Sequence, residues 1–160
     1  DFHRHDRGHW RCLAGDLGGT TTRLGLFESG VGRPRPTVTR EYRTLAFANL
    51  DAMIAAFRHD VGPTAAIDAA AIAVAGPVVD GAATLPNVGW RVTAAGLATH
   101  VAGARAALLN DLEAMALAIP ALDERELITL HPGTPNPNGN AVLIAAGTGL
   151  GSETPCRMGR

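Results

Sequence analysis

Apolar positions fall into short runs that break at turns rich in glycine, proline or asparagine. Cys12-Leu13-Ala14 opens an apolar strand that runs into Gly15-Asp16-Leu17-Gly18-Gly19-Thr20, and residues 22–28 alternate as a second strand does. Gly and Pro make residues 30–36 a turn, followed by a polar strand over about 37–45. Asn49 or Asp51 caps a helix that runs to about Val61, with Leu50, Ile54 and Phe57 on one face. Residues 70–75 read as a buried strand closed by Gly76-Pro77, and residues 78–85 as a strand pair about Asp80-Gly81. Thr93 caps a second helix to about Ala102. Residues 106–109 form another buried strand, ending at Asn110-Asp111, and residues 112–119 a helix stopped by Pro120. Residues 126–130 and 141–146 read as two strands joined by a loop over 131–140. The second of these ends in Gly147-Thr148-Gly149-Leu150-Gly151. Strands and helices mixed in this order predict an α/β fold. No repeat, low-complexity tract or linker interrupts it.

Composition narrows the function. Apolar residues make up 46% of the 160, enough for the core of one domain. A formal net charge of −1 gives no reason to expect nucleic acid or an anionic membrane as partner. All 14 basic residues are arginine. A lysine-bearing phosphate loop and Schiff-base catalysis are thereby excluded. Cys12 and Cys156 make neither a metal-ligand spacing nor a disulfide framework, which suits a reducing cytoplasm. No apolar run approaches the roughly 20 residues that span a bilayer. Residues 1–11 are charged, His-rich and aperiodic, so they read as an unstructured extension and not as a signal peptide. His3, His5 and His9 are better explained by a flexible polar end than by a metal site. The missing initiator Met leads to the expectation of a fragment or a processed chain.

Three constellations could carry chemistry. In Asp16-Leu17-Gly18-Gly19-Thr20-Thr21, adjacent glycines let backbone N–H groups approach an anion closely, and the two threonines add hydroxyl donors. Asp16, at the strand end, could hold a Mg²⁺ directly or through water. The unit lies between two strands and does not open a helix, which argues against a dinucleotide-binding fold. A plain hairpin turn would use the same residues. The second constellation, Asn110-Asp111, stands at the carboxyl end of an apolar strand, where ligands collect in α/β sheets. There a carboxylate beside an amide suits proton removal from a sugar hydroxyl. Helix capping, with Glu113 in the first turn, is the competing reading, and the two are compatible. The third is Gly147-Thr148-Gly149, a second glycine-rich turn after a buried strand. Two such turns with a carboxylate between them point to a polyphosphate more strongly than either alone.

These residues resemble the bacterial glucokinase family. Residues 13–20 with Arg23-Leu24-Gly25-Leu26-Phe27 are similar to its first phosphate loop, and residues 75–78 and 85–90 to its next two signatures. Leu109-Asn110-Asp111-Leu112-Glu113-Ala114-Met115-Ala116 resembles the segment that holds its catalytic aspartate, and residues 147–151 its second phosphate loop. The resemblance implies the actin-like ATPase (ribonuclease H-like) fold. On it, residues 12–110 form a small α/β lobe and residues 111–151 the start of a larger lobe that is mostly missing. It implies ATP and Mg²⁺ against Gly15, Asp16, Leu17, Gly18, Gly19, Thr20 and Thr21, with Gly147, Thr148 and Gly149 as the second loop. Asp16 would position the metal. Glucose would lie near Asn87, Asn110 and Asp111, with Asp111 as general base on its 6-hydroxyl. The activity implied is transfer of the ATP γ-phosphoryl group to glucose, the opening step of glycolysis, in a cytoplasmic protein whose full-length form is a homodimer.

The match departs from the family in three places. Pro86 stands where the family usually has threonine, residues 1–11 resemble nothing in it, and residues 152–160 read as an atypical tail. The expectation is therefore a truncated chain, inactive by itself. The alternatives are a kinase for another hexose, a non-catalytic nucleotide-binding fragment, or a gene remnant.

Overall fold

The computed structural model describes residues 9–62, 66–102, 105–134, 136, 142–146 and 150–153. The chain divides into two compact units, Asp1–Leu109 and Asn110–Arg160. In chain order the first unit contains β1 (Arg11–Leu17), β2 (Thr21–Glu28), β3 (Arg35–Arg43), α1 (Leu50–Val61), β4 (Ala69–Val74), β5 (Ala82–Leu85), β6 (Trp90–Thr93) and α2 (Ala94–Ala98). It closes with β7 (Arg105–Asn110), whose last residue opens the second unit.

Five strands form one mixed sheet in the order β3-β2-β1-β4-β7. β1 runs antiparallel to β2, with Leu13 opposite Leu26 and Leu17 opposite Thr22, and parallel to β4, with Leu17 opposite Val74. Period-two alternation turns Leu13, Leu17, Leu24, Leu26, Ile72 and Val74 to one face, where all are buried. α1 covers that face with Leu50, Met53, Ile54 and Phe57, a helical i, i+3, i+4, i+7 stripe whose members are buried in the same core. Each such side chain contributes about 1.5–3 kcal/mol by leaving water. Asn49, not Asp51, caps α1: its side-chain oxygen accepts the N–H of Ala52 at 2.8 Å. Asp51 is thereby left to meet His100 Nε2 at 2.7 Å.

Several boundaries differ from the sequence reading. β3 begins at Arg35 and takes in Pro36, which an edge strand tolerates because its missing N–H is not needed there. The strand pair expected over 78–85 shrinks to a single bridge between Val79 and Ala82. It turns at Asp80 and Gly81, whose φ values of 50° and 68° are both left-handed. The true hairpin pairs β5 with β6, and residues 86–89 connect them. β6 escaped notice because Trp90-Arg91-Val92-Thr93 is short, although Trp90 and Val92 alternate as buried residues. Thr93 caps α2 as expected, accepting the N–H of Gly96 at 2.9 Å, but the helix stops at Ala98. Thr99 ends it, its hydroxyl donating back to the Gly96 carbonyl at 2.7 Å.

The second unit contains α3 (Asp111–Ala118), β8 (Leu143–Ala146) and β9 (Leu150–Glu153), and α3 packs on both strands. A 3-10 turn over Ile119–Ala121, with Pro120 near its start, ends α3. The strand expected over 126–130 is absent. Asp123 instead accepts the N–H of Arg125 while its own N–H meets Glu126 Oε2 at 2.8 Å, winding Glu124–Glu126 into another 3-10 turn. Leu127, Ile128 and Leu130 beyond it are exposed, so their alternation reflects no sheet face. The partner of β8 is β9, with Ala146 opposite Leu150. Residues 1–8 of the expected extension lie outside the described residues, and Ser152 and Glu153 of the expected tail belong to β9. Among the described residues, no helix is long and apolar enough to cross a membrane.

Candidate functional site

Because β1 and β4 are parallel, their carboxyl ends lie side by side, and Ala75 donates its N–H to the Leu17 carbonyl at 3.4 Å. The glycine-rich turn from β1 to β2 sits at this end of the sheet, a place where α/β folds gather ligands. The turn closes when Gly18 donates its N–H to the Thr21 carbonyl at 3.2 Å. A Cβ on Gly18 would stand 2.6 Å from that same oxygen, so sterics alone demand glycine there. Gly19 is under a different constraint. A Cβ on it would meet only Asn87, whose Cβ lies at 3.7 Å and Nδ2 at 3.9 Å. The β5–β6 connection thus brings Asn87 against the first glycine-rich turn.

Anion-binding capacity rests on what the turn leaves unpaired. Gly18 N–H is engaged within the turn, while among the described residues no acceptor meets the N–H of Gly19 or Thr20. The hydroxyls of Thr20 and Thr21, both exposed, likewise lack partners there. Two successive N–H groups and two hydroxyls at one turn fit phosphate oxygens. Gly15 and Leu17 lie in the body of β1: Leu17 is fully buried. A Cβ on Gly15 would fall within 2.7 Å of the side chains of Ile72 and Leu24.

Asp16 is exposed and stands in register opposite Arg23. Arg23 donates from Nε to Glu41 Oε2 at 2.8 Å, and that hydrogen bond, with the charges of Glu41 and Asp16, raises the guanidinium above its ordinary pKa. Among the described residues, no three His, Cys, Asp or Glu cluster as a metal site. A single exposed carboxylate suits Mg²⁺ whose other positions are filled by phosphate oxygens and water.

The bracing of this turn by Thr22 of β2 and Thr44 is not legible in the sequence. Thr44, just past β3, donates its backbone N–H to the Thr20 carbonyl at 2.9 Å and its hydroxyl to the Gly18 carbonyl at 2.8 Å. Its Oγ1 also lies 2.9 Å from Oγ1 of Thr22. A hydroxyl has one proton, so with Thr44 donating to Gly18, Thr22 is the donor to Thr44. Thr22 and Thr44 are both fully buried. No local pattern marks Thr44, because its partners stand more than 20 residues earlier.

In the second unit, Asn110 caps α3: its Oδ1 accepts the N–H of Leu112 at 2.9 Å, and its own N–H reaches Glu113 Oε2 at 3.3 Å. Asp111 is half-buried in the first helical turn, and its Oδ1 shares the Leu112 N–H at 2.9 Å. Its other carboxylate oxygen meets no donor among the described residues. Capping therefore falls chiefly to Asn110 and leaves Asp111 with capacity for a ligand. Gly147, Thr148 and Gly149 lie outside the described residues.

The profile of the family described as Glucokinase matches residues 13–159. A glucokinase of Synechocystis sp. is 36% identical over 148 residues, covering 87% of this chain and 42% of the relative. A glucokinase of Nostoc sp. is 34% identical over 148 residues, covering 92% of this chain and 43% of its own length. This chain therefore spans less than half of the curated relatives it matches. Among solved structures, a glucokinase from an Antarctic psychrotroph superimposes with a TM-score of 0.78 at 26% identity, covering 89% of this chain and 45% of the other. A ROK family glucokinase from Streptomyces griseus, solved with glucose and AMPPNP, gives a TM-score of 0.55 at 25% identity, covering 96% of this chain and 47% of the other. These likenesses carry the actin-like ATPase fold expected from the motifs.

Proposed function

This chain belongs to the glucokinase family, and on that premise we propose that it serves transfer of the ATP γ-phosphoryl group to the 6-hydroxyl of glucose. The observation that carries the reading is the β1–β2 turn, where the N–H groups of Gly19 and Thr20 meet no acceptor among the described residues and Gly19 lies beside Asn87. Those N–H groups and the Thr20 and Thr21 hydroxyls bind phosphate oxygens, in a chain that has no lysine to do so. Asp16 holds Mg²⁺, which neutralises charge on the phosphates when bound. Gly147, Thr148 and Gly149 also serve phosphate binding in this reading. Asn87 and Asn110 orient the sugar through its hydroxyls, and Asp111 accepts the proton of the 6-hydroxyl as that oxygen bonds to the γ-phosphorus and the bond from that phosphorus to the bridging oxygen breaks, releasing ADP. Alignment and charge neutralisation supply most of the acceleration in such transfers. A cytoplasmic location goes with this reading.

The test is formation of glucose 6-phosphate from glucose and MgATP, with mannose and an amino sugar offered in parallel. In a full-length version of the protein, Asp111→Asn should abolish sugar-dependent ATP turnover while leaving nucleotide affinity within about twofold, as removal of a base and not of a binding group requires. Substantial turnover by that variant would remove Asp111 from the role of base. Faster transfer to another hexose would reassign the substrate, and nucleotide binding without transfer to any sugar would leave the chain a nucleotide-binding unit.

A further inference from the structure

The first glycine-rich turn is held from behind by a side-chain relay that ordinary core packing does not require. A buried hydroxyl loses its hydration and is retained at no loss only when fully hydrogen-bonded. Thr22 and Thr44 are the buried polar residues of the described chain, and they are bonded to each other. Valine would fill the same space without any polar atom. What the hydroxyls add is direction: Thr22 donates to Thr44, and Thr44 donates to the Gly18 carbonyl. Thr44 also donates its backbone N–H to the Thr20 carbonyl, so carbonyls on both sides of Gly19 are drawn inward by one residue. The peptides that carry these two carbonyls are thereby fixed in orientation. The first of them is the Gly18–Gly19 peptide, whose N–H is the unpaired one of Gly19. β3 delivers the residue, since Thr21 pairs with Arg43 and Thr44 therefore arrives opposite Thr20.

We propose that Thr44, itself aimed by Thr22, is the positioning residue of the phosphate turn, fixing the Gly18–Gly19 peptide so that the Gly19 N–H faces the polyphosphate of a bound nucleotide. The inference rests on the nucleotide reading above. Thr44 touches no phosphate; it acts through the peptide it holds.

Thr44→Val keeps the volume and removes the hydroxyl, Thr44→Ser keeps the hydroxyl, and Thr22→Val removes only the far end of the relay. The 160-residue chain would be titrated with a non-hydrolysable ATP analogue and Mg²⁺, and hydrogen exchange at the Gly18 amide would be followed in the same samples. Thr44→Val should weaken nucleotide affinity about tenfold or more, Thr44→Ser should stay within about threefold of the unaltered chain, and the Gly18 amide should exchange faster only in the valine variants. Unchanged affinity in a Thr44→Val chain that folds would overturn the proposal, even with faster exchange at Gly18, because the hydroxyl would then serve stability alone. Should Thr44→Val fail to fold, Thr22→Val decides, with a loss of about threefold expected and none overturning it. An unaltered chain that folds but binds no nucleotide sinks the nucleotide reading, an outcome distinct from a binding chain that is indifferent to Thr44.

Discussion

Adjacent glycines in the β1–β2 turn should respond very differently to the same substitution. Alanine at position 18 places its Cβ 2.6 Å from the Thr21 carbonyl oxygen, 0.4 Å inside the 3.0 Å floor of real Cβ contacts. The obstacle is backbone, and that backbone is tied to Gly18 N–H and continues into β2, so no side chain can swing aside. Relief requires opening the Gly18–Thr21 hydrogen bond and shifting the Gly18 carbonyl off Thr44. Overpacking of this kind costs about 1–3 kcal/mol. Each weakened hydrogen bond adds about 1 kcal/mol. Alanine returns roughly 0.5–1 kcal/mol by restricting the unfolded chain. The net expectation for Gly18→Ala is a loss of about 2–4.5 kcal/mol, a fall in Tm of roughly 8–18 °C for a unit of this size. Gly19→Ala adds a Cβ that meets Asn87 at ordinary contact distance, so the melting temperature should stay within about 3 °C of the unaltered chain. Thermal melts by circular dichroism on the three chains side by side settle the matter. Equal melting temperatures for the two variants would refute the steric argument and, with it, the described geometry of the turn.

Two further outcomes follow from packing and charge. Phe57, fully buried at the centre of α1, should cost about 3–5 kcal/mol when replaced by alanine, measured as a lower urea midpoint with an unchanged slope. Glu28 has its carboxyl held below the ordinary range by a hydrogen bond from Arg11, with His9 assisting. A carboxyl lowered on folding contributes stability above its unfolded pKa of about 4.5 and loses it as pH falls through the folded value. Glu28→Gln should therefore melt lower than the unaltered chain at pH 6 and converge with it on acidification below about 4.5, in melts recorded across that range.

The sheet was legible where sequence period and burial agreed. Leu13, Leu24, Ile72 and Phe57 sit in repeats of two or of 3.6, and those repeats exist because one face of each element is dry. Residues 126–130 misled for the same reason in reverse, since a side-chain capping arrangement around Asp123 outweighed a weak alternation in a segment with no face to bury. Around the candidate site, the glycine-rich turn after β1 and the Asn110 cap of α3 could be read, because turn chemistry and strand ends leave local marks. That Asn87 lies against Gly19 could not, since the contact depends on how one hairpin folds over another. Nor could Thr44, whose importance is set by the pairing of β2 with β3 and by nothing in its neighbours.

That pairing ties the turn to the most exposed rim of the sheet. β3 is one of the two edge strands, joined to the sheet on one side only, by β2. Outer strands open more readily than inner ones, through local fluctuations far smaller than global unfolding. Each time the Thr21–Arg43 end of β3 lifts, Thr44 leaves with it, and the Gly18 and Thr20 carbonyls lose their donors together. Loosening of the sheet margin and slackening of the turn are thereby coupled through one residue, Thr44.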